Sequence, residues 1–245
     1  TPSQATPKKT TTKKPIARKR TTSRASTSSA RRSRARSRAA AQARALREAQ
    51  EPRFRLDESG ALVPDVRAEA AIIYDSATGH VLWESNSQNQ RSIASITKVM
   101  TAVVFLEDNP DLSEEVEVQS TDVRAASTTY IRSGFRVTKG DLLHLTLMAS
   151  DNAAARALAR VSSHGSEAFI PRMNSKAAEL GLTSTRFVEF TGLNEHNVST
   201  AADVARLLHA AANEPLIAEI TTTRSYEFHT TRRWHTIGNT NRLLY

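Results

Sequence analysis

The chain has 245 residues, no cysteine and a formal charge of +9. Lack of cysteine excludes disulfides, thiolate-bound zinc, iron–sulfur clusters and thiol nucleophiles. The charge is unevenly placed: residues 1–50 carry fifteen Lys and Arg against the single acid Glu48, a sum of +14, while the other 195 residues sum to −5. The basic surplus is therefore a property of a tail, and a folded domain with a basic binding face is excluded as its source. No apolar run approaches the roughly 18 residues that a membrane span needs. The chain opens on Thr1, so an upstream segment, and with it any export signal, is expected to lie outside it.

Residues 1–60 read as a low-complexity basic segment. Lys8-Lys9, Lys13-Lys14, Arg18-Lys19-Arg20 and the Ser-Arg alternation through Arg38 are separated by Thr, Ser, Ala and Pro. Such a segment buries too little surface to offset its ordering entropy and is predicted to be disordered. Transient helix is expected over the Ala-rich stretch 39–50, without an apolar face.

From Ala61 to Tyr245 the patterning is that of a folded domain. Ala71–Tyr74 and His80–Glu84, separated by Ser76-Ala77-Thr78-Gly79, predict a β-hairpin. Residues 95–106 predict a helix with Ile96, Val99, Met100, Val103 and Val104 on one buried face. Short strands are expected at 116–118 and 131–137. Asp141 is expected to cap a buried helix rich in leucine. Further helices are predicted over 152–161, over 166–180 with a kink at Pro171, and over 200–212. Strands are expected at 226–228 and 234–237. Strands at both ends with helices clustered between them indicate an α+β fold.

Two short patterns carry chemistry. Ser95-Ile96-Thr97-Lys98 places a hydroxyl and an amine one helical turn apart on one face. Ser95 would stand at a helix N-terminus, where N–H groups favour a developing oxyanion. A neutral Lys98 could take its proton, which requires the amine to fall well below its usual pKa of about 10.4. About one Ser-x-x-Lys is expected by chance in a chain of this length, and this is the only one present. Ser150-Asp151-Asn152 lies at the break between two predicted helices, where Ser150 could relay a proton and Asn152 hold a substrate amide. On its own this tripeptide is an ordinary helix cap. A looser Ser-x-Asn at Ser87-Gln88-Asn89 precedes Ser95 and is discounted.

Together, and in this order, the two motifs resemble those of the penicillin-interacting serine enzymes. Residues 91–102, Arg-Ser-Ile-Ala-Ser-Ile-Thr-Lys-Val-Met-Thr-Ala, resemble the active-site helix of the low-molecular-mass penicillin-binding proteins, the D-alanyl-D-alanine carboxypeptidases and endopeptidases. Met148-Ala149-Ser150-Asp151-Asn152, Phe190-Thr191-Gly192-Leu193, Ser199-Thr200-Ala201 with Asp203, and Asn239-Thr240-Asn241 resemble further landmarks, so the likeness covers about residues 62–245. It implies a β-lactamase/transpeptidase-like fold, with an antiparallel sheet, flanking helices and a helical cluster. Ser95 would be the acylated nucleophile, Lys98 its base, Ser150 a proton relay and Asn152 a substrate-amide contact, with Asp151 only bracing the turn. Neither cofactor nor metal is implied, and the seven histidines show no His-Glu-x-x-His pattern. The implied partners are peptidoglycan stem peptides and β-lactams, in the periplasm or cell envelope.

One departure stands out. Lys-Thr-Gly, the third motif, occurs nowhere in the 245 residues. The expectation is a chain cut short of that motif and of the last strands, inactive and poorly stable alone, with an exposed sheet edge. Three other readings remain open at this stage. A class A β-lactamase would use Glu189, one residue too far from Leu193-Asn194 for the usual spacing. A non-catalytic relative would act as a scaffold. The +14 tail would suit nucleic acid, anionic lipid or acidic wall polymer, or act as a tether. Its lack of aromatic residues argues against base stacking.

Overall fold

The computed structural model describes residues 24–127 and 129–245. The chain falls into two compact units that meet in sequence at Asp65 and Val66. The first holds helix α1 (Arg24–Gln50) and the hairpin β1 (Phe54–Leu56) and β2 (Leu62–Pro64). Every described side chain of α1 is exposed. Helix is expected from the sequence only over 39–50, and α1 carries it back to Arg24; Ala and Arg favour helix, and as expected no apolar face supports it. The expectation for residues 1–23 lies outside the described residues. Asp57 closes the hairpin, accepting from the Ser59 and Ala61 N–H groups at 2.9 and 3.0 Å. Residues 60 and 61, where composition changes, thus lie inside this turn.

In the second unit β3 (Ala71–Tyr74) and β4 (Val81–Ser85) form the predicted hairpin. Next come β5 (Arg91–Ser92), one 3-10 turn (Ala94–Ile96) and α2 (Thr97–Leu106). β6 (Glu115–Glu117), α3 (Ser120–Val123) and β7 (Arg136–Thr138) lead to α4 (Lys139–Met148), α5 (Asn152–Val161) and α6 (Gly165–Glu179). After β8 (Val198–Ser199) the chain continues through α7 (Ala201–Ala212), α8 (Pro215–Thr222), β9 (Ser225–His229) and β10 (Trp234–Gly238). The α+β architecture agrees with the patterning. Among the described residues the strands form antiparallel two-stranded ladders (β1–β2, β3–β4, β5–β8, β6–β7, β9–β10) and not one continuous sheet.

Helix α2 is the centre of the unit, packed by α4, α5, α6 and α7. Met100 and Ala102 on α2, Leu142, Leu143, Leu145 and Met148 on α4, and Leu158 on α5 are completely buried. Ala153, Ala154, Ala155, Ala157 and Ala159 are also fully buried, and their small side chains let α5 lie close against its neighbours. Phe169 of α6 meets Phe190 edge-to-face, with ring centroids 6.2 Å apart, and so ties the core to the loop beside Ser95. Ile96, expected on the buried face, is 39% exposed, because the 3-10 turn rotates it out of register with α2.

Two local expectations change. Asp141 is not the cap of α4. Thr138 is, and Asp141 sits at the third position of a capping box: the Thr138 hydroxyl accepts from the Asp141 N–H, and the Asp141 carboxylate from the Thr138 N–H, each at 3.0 Å. Helix α6 continues through Pro171. The short, β-branched α8, opened by Pro215 at its first turn, carries too weak a period to be read from sequence. Asp141 also accepts a hydrogen bond from the Tyr226 hydroxyl at 2.8 Å, joining α4 to β9; burial first, and then this carboxylate, push the phenol pKa up. Replacing Asp141 by Ala removes half the capping box and leaves the Tyr226 hydroxyl without its acceptor. We predict a loss of about 2–3 kcal/mol, read as a lower denaturant midpoint at unchanged slope.

Candidate active site

The 3-10 turn presents Ser95 to solvent and drops Lys98 into the core, where it is 2% exposed. The Lys98 Nζ lies 3.1 Å from the Ser95 Oγ and 2.7 Å from the Thr191 carbonyl oxygen. Burial lowers the amine pKa to about 8, although Glu189 and Asp151 pull it the other way; the Arg156 charge acts in the same direction as burial. This amine can therefore be neutral near physiological pH while touching a hydroxyl, the condition that a lysine base requires.

Lys98 owes its position to the segment from Phe187 to Ser199. β8 pairs with β5 and brings this segment alongside the nucleophile turn. Asn197, fully buried, accepts from the Val188 N–H at 2.8 Å and donates to the Thr97 hydroxyl at 3.0 Å and the Glu189 carbonyl at 2.8 Å. The Glu189 carboxylate accepts from the Thr191 N–H and hydroxyl at 2.8 and 2.6 Å, from Asn197 Nδ2 at 2.9 Å, and from the Gly192 N–H. With four donors on its two oxygens it works as a clamp for the loop. It is not free to activate a water, which removes the basis of the β-lactamase reading. Gly192 has φ +86°, and a Cβ there would lie 1.9 Å from the Ala94 carbonyl oxygen and 2.7 Å from the Ser95 nitrogen. Only glycine permits so close a backbone approach.

Ser150-Asp151-Asn152 occupies the break between α4 and α5. Asp151 caps α5, accepting from the Ala153 and Ala154 N–H groups at 2.9 and 3.2 Å through one oxygen. Its other oxygen takes the Thr129 hydroxyl at 2.7 Å and the Tyr130 N–H at 2.9 Å. Asn152 donates to the Ala126 carbonyl at 3.1 Å, while its own side-chain oxygen is buried with no partner. Such an acceptor is available to a ligand N–H. The Ser150 hydroxyl makes no hydrogen bond among the described residues. Thr240 N–H donates to the Met148 carbonyl at 2.9 Å, which docks the Asn239–Asn241 segment against the same break.

Residues with unfavourable backbone cluster at this place. Apart from two asparagines, the described non-glycine residues with positive φ are Ala94, Ala125, Ser127 and Ser150. Ala94 precedes the nucleophile, Ser150 belongs to the second motif, and the other two line the loop that holds Asn152. Each costs on the order of 1–3 kcal/mol, a strain that concentrates at functional sites.

The structure thus joins Ser95 to Lys98 directly. It places Ser150 and Asn152 at the adjacent helix break without hydrogen-bonding either to that pair. Ser87, discounted earlier, is buried and bonded to Glu84. Sequence reasoning missed the clamp made by Glu189 and Asn197; a single Asn between His196 and Val198 offers no pattern to find. Gly192→Ala tests the clamp. It should lower stability by about 2 kcal/mol or more through backbone displacement at Ala94, seen as a lower melting temperature and an altered environment of Ser95 in amide NMR spectra.

A family model described as D-alanyl-D-alanine carboxypeptidase matches residues 57–245. The D-alanyl-D-alanine endopeptidase of Escherichia coli is 39% identical over 74% of this chain and 60% of its own length. That of Pseudomonas aeruginosa is 38% identical over 75% of this chain and 60% of its own length. This chain therefore spans about 60% of the length of these curated relatives. The crystal structure of the Streptomyces K15 DD-transpeptidase superposes with a TM-score of 0.68 at 31% identity, covering 74% of this chain and 76% of that one. With its Ser-x-x-Lys pair and Ser-Asp-Asn turn on the matching fold, the chain belongs to the D-alanyl-D-alanine carboxypeptidase family.

Proposed function

We propose that the protein carrying this chain is a serine-type D-alanyl-D-alanine peptidase acting on peptidoglycan peptides in the cell envelope. The observation that carries this reading is the 3.1 Å contact between the Lys98 amine and the Ser95 hydroxyl, with the amine pKa lowered to about 8. Neutral Lys98 takes the Ser95 proton as Oγ attacks the carbonyl carbon of the D-alanyl peptide bond. The C–N bond breaks, the departing amine takes a proton by way of Ser150, and an ester to Ser95 remains. Water then hydrolyses the ester and regenerates the hydroxyl. Asn152, fixed through Ala126, offers its unpartnered oxygen to a substrate amide N–H. The same acylation accounts for β-lactams as ligands. Cleavage of cross-links, an endopeptidase action, is the narrower reading supported by the 39% and 38% likenesses. The basic N-terminal segment suits an anionic lipid surface or wall polymer, since its charge is high and it lacks aromatic residues.

Two outcomes follow for the full-length protein. Incubation with a fluorescent penicillin should label the wild type on Ser95, with peptide mass mapping to the segment around residue 95, and leave Ser95→Ala unlabelled. A label elsewhere would contradict the assignment. The acylation rate should follow the neutral fraction of Lys98. Because the pKa is lowered to about 8, the rate should rise about tenfold per pH unit between pH 6 and 7 and level off above about pH 9.

A further inference from the structure

A cavity of about 610 Å³ opens beside the candidate site, between α5 and the loop that holds Lys98. Its walls include Arg156, Arg160, Glu189, Phe190, Leu193 and Glu195. Most of the charge here is already satisfied. Arg160 forks onto Asp122 at 3.0 and 2.7 Å and reaches the Glu117 carbonyl at 2.9 Å. The Glu189 carboxylate is saturated by the loop, as described above.

Two charges differ: the Glu195 carboxylate has no partner among the described residues, and Arg156 has no acidic one. Its guanidinium is steadied by one nitrogen, which donates to the Asp122 carbonyl at 3.3 Å and to the Arg124 carbonyl. No carboxylate pairs with it among the described residues. It lies one helical turn beyond Asn152 on α5, so the two side chains share a face. Its charge is also the weakest of the influences that act on the Lys98 amine. An anchored, half-buried guanidinium with a free edge in a cavity is the arrangement that recognises a carboxylate bidentately.

We infer that Arg156 is a specificity-determining residue that binds a free carboxylate on the acyl side of the substrate peptide, inside this cavity. A peptide whose amide is held at Asn152 would continue one helical turn along α5 to reach Arg156. The inference rests on the peptidase reading, and the test separates the two.

Two N-acylated peptides ending in D-Ala-D-Ala would be compared with the full-length protein. One carries a free carboxylate on the residue preceding the D-alanines, the other its primary amide, so the C-terminal carboxylate is common to both. The wild type should favour the carboxylate peptide by about tenfold in kcat/KM, mainly through KM. Arg156→Gln should abolish that preference, and Arg156→Lys, which keeps the charge without the fork, should restore part of it. Calorimetric binding of the matching acyl-side peptides without the D-alanines should show the same ratio and its loss in Arg156→Gln. Equal weakening of both peptides by Arg156→Gln would mean that the residue only braces residues 122–124, and would overturn the inference, as would a wild type without preference. Selective binding without turnover would sustain the Arg156 assignment and sink the peptidase reading.

Discussion

A lysine amine held out of water against a serine hydroxyl is the constraint on which the other features of this molecule converge. An amine buried to 2% exposure would be costly if it were left charged and unpaired. The fold gives it two oxygen partners, Ser95 Oγ and the Thr191 carbonyl. The same burial lowers its pKa to about 8. One physical fact, desolvation, thus makes the residue both a structural risk and a usable base.

Keeping it there takes structure from distant parts of the sequence. The Thr191 loop is held by Glu189 and by Asn197, and Asn197 reaches across to Thr97 at the start of α2. Gly192 lets the loop backbone touch the Ala94–Ser95 peptide, where any side chain would collide. The alanine-rich α5 packs closely enough to bring Asp151 and Asn152 to the same end of the core. The positive φ at Ala94, Ser127 and Ser150 is a backbone cost that the chain carries at this place.

Much of this was legible in the sequence where a pattern is local. The hairpin around residues 76–79, the leucine-rich α4 and the bounds of α5 follow from period and turn chemistry. Ser95, Lys98, Ser150 and Asn152 are legible because two short motifs in a fixed order are rarer than either alone. What stayed hidden depends on tertiary contact. Asn197 and Glu189 act across the loop and across the β5–β8 ladder, which is only two residues long on each side. Ile96 fits a buried helical face on paper, and a single 3-10 turn moves it to the surface. Over residues 24–50 the Ala-rich stretch reads as helix without an apolar face, and α1 carries that helix back to Arg24. Arg156 reads as one more exposed charge on an alanine helix until its missing partner becomes visible.

The central claim is that Lys98 titrates far below an ordinary lysine because it is buried against Ser95. The most direct test is an NMR titration of the folded chain with 13C-labelled lysine, the Lys98 resonance being identified by its loss in Lys98→Arg. The account predicts a midpoint near pH 8 for Lys98. A midpoint near the ordinary value of 10.5 would show a charged, solvated amine and would contradict the account.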